Sequence, residues 1–199
     1  MKQIQKNIQH SFKVKQADRN EIVSQVVNML DNEFPKYIIR TDIESFYESI
    51  PHNELKNVIN RNYILSPLSK KVIYEILRQY QSITGLDKGI PRGIGISAYL
   101  AELYMRDFDN DIKSLKNVTY YARYVDDIIA IFVPKSKNID STQLIDYKAK
   151  LTDLITSEGL VLNVKKTNGY NLSGGIFDLR FDDNQPNYVP NSIQYLVSP

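Results

Sequence analysis

Apolar residues recur four apart at Ile22, Val26 and Leu30, which stacks one stripe on one face of a helix over residues 18–33. Pro35 ends that helix, and Tyr37–Ile43 then reads as a buried strand leading into Asp42. Ser49-Ile50-Pro51 has the form of a helix start, with Ser49 as cap, Pro51 in the first turn, and Leu55, Val58 and Ile59 inward. Ser66-Pro67 repeats that signal for a second helix, whose stripe is Leu68, Val72, Ile76 and Tyr80 and which stops before Gly85. A glycine-bearing loop, Gly89–Gly95, enters a helix running from Ile96 to about Lys113, with Ile96, Leu100, Leu103 and Phe108 inward. Tyr120–Val133 reads YYARYVDDIIAIFV, with β-forming and apolar residues on both sides of Asp126-Asp127, so a hairpin with a very tight turn at the acids is expected. Ser141–Glu158 returns to helical spacing through Leu144, Tyr147, Leu151 and Leu154, and Gly159 caps it. Strands are expected at Leu160–Val164, near Gly175–Phe181 and near Ser192–Val197. Helices interleaved with strands, a hairpin among them, define an α+β class.

The acids at the hairpin are the feature this pattern does not explain. Two adjacent carboxylates at the lip of an apolar hairpin repel each other and are costly to desolvate. A divalent cation removes that cost, and so does plain solvation, so an acidic turn in water remains the alternative reading of the pair alone. Metal-assisted phosphoryl transfer needs acids from separate elements converging on two cations roughly 3.5–4 Å apart. Asp42, at the end of an apolar strand in RTDIESFYESIPH, supplies such an acid. Glu44 follows it at period two and fits better as a surface charge.

Composition changes the picture little. With 199 residues, 42% hydrophobic and 24% charged, the chain fits one globular domain, or one with an appendage. The apolar run Ile128–Val133 is far too short to span a bilayer, and the first residues carry no secretory pattern. Cysteine is absent, which excludes disulfides and thiolate metal sites and makes a cytoplasmic setting the expectation. His10 and His52 are too few and too far apart for a zinc site. The net charge of +2 is modest, but Lys2, Lys6, Lys13, Lys15 and Arg19 face Asp18 alone in the first twenty residues, a segment able to meet phosphates or simply to stay solvated.

Four segments occur in a telling order: IIRTDIESFYESIPH, GIPRGIGISAYLAELYM, YVDD and EGLVLNVKKTNGY. Together, from about residue 38 to 167, they resemble the palm motifs of the reverse transcriptases (RNA-directed DNA polymerases). The Leu-Ala-Glu-Leu-Tyr-Met wording at 100–105 is most similar to bacterial abortive-infection and antiphage-defence members. The resemblance implies a right-hand palm, a ferredoxin-like antiparallel sheet with helices on one face. Residues 1–36 would be partial fingers, 37–182 the palm, and 183–199 the start of a primer-grip hairpin, with no thumb.

It also implies roles. Asp42, Asp126 and Asp127 would be catalytic metal ligands for two Mg²⁺, with Mn²⁺ as an alternative, and Lys166 would donate a proton to the leaving pyrophosphate or neutralise it. Ile43, through its carbonyl, Tyr47 as the residue excluding a ribose 2′-hydroxyl, Arg92 and Gly93 would bind the nucleotide. Lys13, Lys15 and Arg19 would contact nucleic acid. Arg92 departs from the glutamine most family members carry there. Arg123, by alternation on the face opposite Tyr124, receives no catalytic role. The implied partners are an RNA template, a DNA or RNA primer, deoxynucleoside triphosphates, and an oligomer or partner protein supplying the thumb, with no membrane. The implied activity is primer extension, in antiphage defence. Template-independent DNA synthesis and a non-catalytic palm acting as a binding or assembly module are the alternatives, and the isolated chain is expected to be weakly active or inactive.

Overall fold

Ile and aromatic residues crowd two stretches that the chain buries almost completely, Lys36–Asp42 and Asp127–Phe132. A computed structural model describes residues 6, 17–63, 65–135, 141–173 and 176–182. In chain order these residues form α1 (Arg19–Leu30), β1 (Lys36–Asp42), α2 (Phe46–Ser49), α3 (His52–Arg61), α4 (Pro67–Thr84) and α5 (Gly95–Ser114). There follow β2 (Val118–Tyr124), β3 (Asp127–Phe132), α6 (Ser141–Ser157), a 3₁₀ turn (Val164–Lys166), β4 (Asn168–Ser173) and β5 (Ile176–Asp182). Lys13, Lys15, most of the 1–36 segment's first half, and all of 183–199 with its expected strand lie outside the described residues.

Two units can be distinguished, and α5 contributes residues to both. The sheet unit holds Ala17–Glu44, Asp109–Ser157 and Val161–Pro199. Its five strands are all antiparallel, in the order β2-β3-β1-β4-β5. Residues opposite one another on paired strands share a face. On one face Ile38, Ile129, Ile131 and Tyr170 pack against Val26 and Leu30 of α1. That helix is capped by Asp18, whose carboxylate accepts from the Asn20 N–H at 2.9 Å. On the other face Tyr37 and Phe132 meet Tyr147 of α6, with the Phe132 and Tyr147 rings stacked at 4.2 Å between centroids. The expected helical layer is thus present, and α1 adds cover to part of the opposite face.

β4 was not foreseen. Its sequence, NGYNLS, carries weak β-formers at four of six positions, yet it pairs with β1 from Lys36↔Leu172 to Arg40↔Asn168. The strand expected at Leu160–Val164 is reduced to one bridge, Ile43↔Leu162, before the chain tightens into the 3₁₀ turn. The end of β1 sets that limit: Asn163 N–H donates to the Asp42 carbonyl at 2.8 Å and Glu44 N–H to the Val161 carbonyl at 2.8 Å, after which no partner strand continues.

The helical unit holds Ser45–Phe108 and Glu158–Leu160. Ser66 caps α4 as expected, accepting from the Ser69 N–H at 3.2 Å, and Gly85 ends it at φ +72°. The inward stripe differs by one residue. Ser69, Ile73 and Leu77 are buried, while Leu68 is 71% exposed. A second stripe with spacing four runs one residue along from Leu68, Val72, Ile76 and Tyr80, and packing selected that one. Ser49 is not the N-cap of the following helix: residues 46–49 form their own short helix, and α3 starts at His52 with Pro51 at its N-cap.

Candidate active site

The β2–β3 hairpin closes in two residues. Tyr124 pairs with Asp127, so Val125 and Asp126 make the turn, one residue earlier than the sequence pattern places it. Val125 has φ +60° and Asp126 does not share the sign, the pattern of a II′ turn, where glycine is the usual first residue. A β-branched residue there stores strain on the order of 1–3 kcal/mol. Asp127 opens β3 and is the register partner of Asp42 at the end of β1. Such partners project from the same face with Cβ atoms about 4.5–5.5 Å apart, so the backbone alone sets these two carboxylates side by side. Asp126 is tied to the same strand end, because its carbonyl accepts from the Ile43 N–H at 3.1 Å.

Lys166 arrives from the 3₁₀ turn and forms an ion pair with Oδ2 of Asp42. The turn is pinned behind β1: the Thr41 and Thr167 hydroxyls lie 2.7 Å apart, and Thr167 donates to the Asn163 carbonyl at 2.8 Å. Lys166 stays 65% exposed at its side chain while that of Asp42 is only 6% exposed. The Asp42 carboxylate, through its hydrogen bond and its charge, holds the Lys166 ammonium above the ordinary lysine range, with Asp127 and Asp126 adding to the shift. Burial pushes the Asp126 carboxyl above the usual carboxylate range. The charges of Asp127 and Asp42 push the same way, against a backbone hydrogen bond and Lys166.

Three carboxylates therefore face one ammonium, and Oδ1 of Asp42 is buried without a hydrogen-bond partner. An orphaned carboxylate oxygen and a carboxyl driven toward its neutral form mark a place short of positive charge. The donors are hard oxygens, the set suited to Mg²⁺ or Mn²⁺. As the side chains stand, no three acidic or histidine residues among those described converge on one point.

Arg19, at the start of α1, shares a cleft with Arg40, Tyr124 and Asp127. Arg40 was missed in the sequence; its signal is the period of two that puts it on the Asp42 face of β1. A larger hollow of about 630 Å³ lies at the other end of the sheet, lined by Met29, Phe34, Lys36 and Val133, away from the acids.

Tyr47, Arg92 and Gly93 belong to the helical unit. Arg92 forks onto Glu48, with Nη2 donating to Oε2 at 2.8 Å and Nε 2.6 Å from Oε1, and its guanidinium carbon lies 5.7 Å from the Tyr47 ring centroid. The hydrogen bond from Arg92 holds Glu48 below the usual carboxylate range. Gly93 takes φ +77° with nothing within 4 Å of an added Cβ, so backbone conformation, not crowding within the chain, calls for glycine.

The model of the reverse transcriptase (RNA-dependent DNA polymerase) family matches residues 1–196. The chain belongs to this family. Its fold is similar to that of apo telomerase from Candida tropicalis truncated from its C-terminal domain, with a TM-score of 0.58 at 15% identity over 91% of this chain and 44% of that one. The apo telomerase from Candida tropicalis matches with a TM-score of 0.58 at 15% identity, over 92% of this chain and 40% of that one. The telomerase of the same organism in complex with a TWJ fragment of telomeric RNA matches with a TM-score of 0.52 at 17% identity, over 83% of this chain and 33% of that one. This reverse transcriptase chain thus spans less than half the length of those telomerases. No curated protein matches it. The family is that of RNA-dependent DNA polymerases, which generally use divalent metals. Among the described residues no helix is long and apolar enough to cross a membrane.

Proposed function

We propose that this chain is the palm of a reverse transcriptase that adds deoxynucleotides to a primer 3′ end on an RNA template. The observation that carries the reading is the register pairing of Asp42 with Asp127, with Asp126 in the adjoining turn and Lys166 on Asp42. The primer 3′-hydroxyl attacks the α-phosphorus of a deoxynucleoside triphosphate; a P–O bond forms to the primer, the hydroxyl proton passes to solvent water, and the bond to pyrophosphate breaks. Asp42, Asp126 and Asp127 would hold two Mg²⁺, or Mn²⁺. When bound, these cations make the hydroxyl a better nucleophile and offset charge on the phosphates. Lys166 gives its Nζ proton to the departing pyrophosphate oxygen or neutralises it.

Ile43, Tyr47, Arg92 and Gly93 bind the nucleotide in this reading, Tyr47 by excluding a 2′-hydroxyl. Arg19, with Lys13 and Lys15, meets phosphates; its place in the Asp127 cleft supports that role. Residues 37–182 make up the palm and 1–36 part of the fingers in this reading. An antiphage setting rests on the 100–105 wording alone, and phage plating on cells with and without the gene tests it.

The first test is nucleotide incorporation by the purified chain with Mg²⁺ or Mn²⁺, on an RNA template with a DNA primer and with no nucleic acid. Template-dependent incorporation that falls at least about 10³-fold in Asp126→Asn supports the reading. Untemplated synthesis is the second reading, favoured by Arg92, an arginine held by Glu48 where most relatives have glutamine; incorporation without template selects it. No incorporation, in this chain or in one extended by its neighbouring regions, would leave a non-catalytic assembly module.

A further inference from the structure

Arg123 precedes the acidic turn on β2 and its side chain is only 2% exposed. An arginine so deep needs its charge balanced and its donors used. Asp109, in the part of α5 that belongs to the sheet unit, does both with a fork: Nε donates to Oδ1 at 2.9 Å and Nη2 to Oδ2 at 2.8 Å. Tyr121, on the same face of β2, donates its hydroxyl to the same Oδ1 at 2.6 Å. Nη1 of Arg123 then donates to the carbonyl oxygen of Val125 at 2.7 Å.

Val125 is the residue held at φ +60°. A strained β-branched turn residue persists only where its surroundings over-determine it, and a clamped guanidinium on its carbonyl is such a determinant. Arg123 pairs with Ile128 and so lies on the face opposite Asp42 and Asp127. We propose that Arg123 is a positioning residue. Locked by Asp109 and Tyr121, it fixes the Val125 carbonyl and thereby where Asp126 and Asp127 stand relative to Asp42. Its catalytic consequence rests on nucleotidyl transfer being the activity; the turn it holds does not. Lysine cannot replace it, having neither the fork nor its planar geometry.

Two variants separate positioning from folding. Arg123→Lys keeps the charge and loses the fork. Arg123→Met combined with Asp109→Leu removes the pair and leaves no buried charge behind, so the core can stay packed. Each would be compared with wild type for thermal unfolding, for steady-state incorporation, and for hydrogen exchange of the Val125, Asp126 and Asp127 amides. Variants melting within about 5 °C of wild type should lose about 10- to 100-fold in kcat with KM for the nucleotide changed less than about threefold, since small misplacements of reacting groups are that expensive. Their turn amides should exchange about tenfold faster. Wild-type kcat and wild-type turn exchange in a folded Arg123→Lys chain would overturn the proposal, whether or not the double variant folds. If the wild-type chain incorporates nothing, the reading of its activity is what fails, and turn exchange alone decides the role of Arg123.

Discussion

Arg123–Asp109 and Arg92–Glu48 share one chemistry and nearly one geometry. Each is a guanidinium forked onto a carboxylate at 2.6–2.9 Å. Their surroundings are opposite: the side chains of the first pair are 2% and 18% exposed, those of the second 66% and 44%. Water can dissolve the second pair at little cost, and salt screens it. It cannot dissolve the first, because either partner left alone would be a buried, unbalanced charge. The same residue type is a buried support beneath the Val125–Asp126 turn and a solvent-exposed pair beside Tyr47.

Removing one partner from each pair is the sharpest way to break this comparison. Arg123→Ala should cost about 3 kcal/mol or more in denaturant unfolding, because it strands Asp109. A loss under about 1 kcal/mol would mean that burial does not distinguish the pairs. Tyr121→Phe comes next, at about 1 kcal/mol, for one buried hydrogen bond. It also has a pH signature. Burial first, and then the Asp109 charge, push the Tyr121 phenol well above its ordinary 10.0, against the pull of Arg123, while Lys113 lies over the ring. A raised folded value favours the neutral phenol, so its contribution is full below pH 10.0 and is lost as pH rises through the folded value. Tyr121→Phe should flatten that alkaline limb in unfolding measured against pH.

Arg92→Ala should change stability by less than about 1 kcal/mol, with a smaller difference still in high salt. Its effect belongs in the KM for nucleotide or in template dependence; a fall in kcat alone would argue that Arg92 is scaffold after all. The smallest expected effect is acid-side. Glu48 is held below its ordinary 4.5, so the pair contributes above that value and loses its contribution as pH falls through the folded value. With both side chains this exposed, only a slight acid-side difference between wild type and Arg92→Ala is expected.

The site was legible in sequence where its signals are local. Asp42 at a strand end, Asp126-Asp127 between two β-forming runs, and Lys166 after Leu162-Asn163 all stand out from a few neighbours. The helices α1, α4 and α5 were legible for the same reason, through spacing, Ser66-Pro67 and Gly85. β4 escaped because Asn168, Gly169, Asn171 and Ser173 have little strand preference, and β1 makes a strand of them. The inward stripe of α4 escaped because two candidate stripes were almost equal. Asp109 escaped as the partner of Arg123 because fourteen residues separate them and nothing local joins them.

By itself the sequence determined the class of elements, their order and the identity of the acids, since periodicity, proline, glycine and capping side chains act within a few residues. Only the tertiary structure decided that Asp42 stands opposite Asp127, that the turn begins at Val125, and that one arginine is buried and another exposed. Those depend on strand register and on which surfaces leave water together, and both are properties of segments meeting rather than of any one segment.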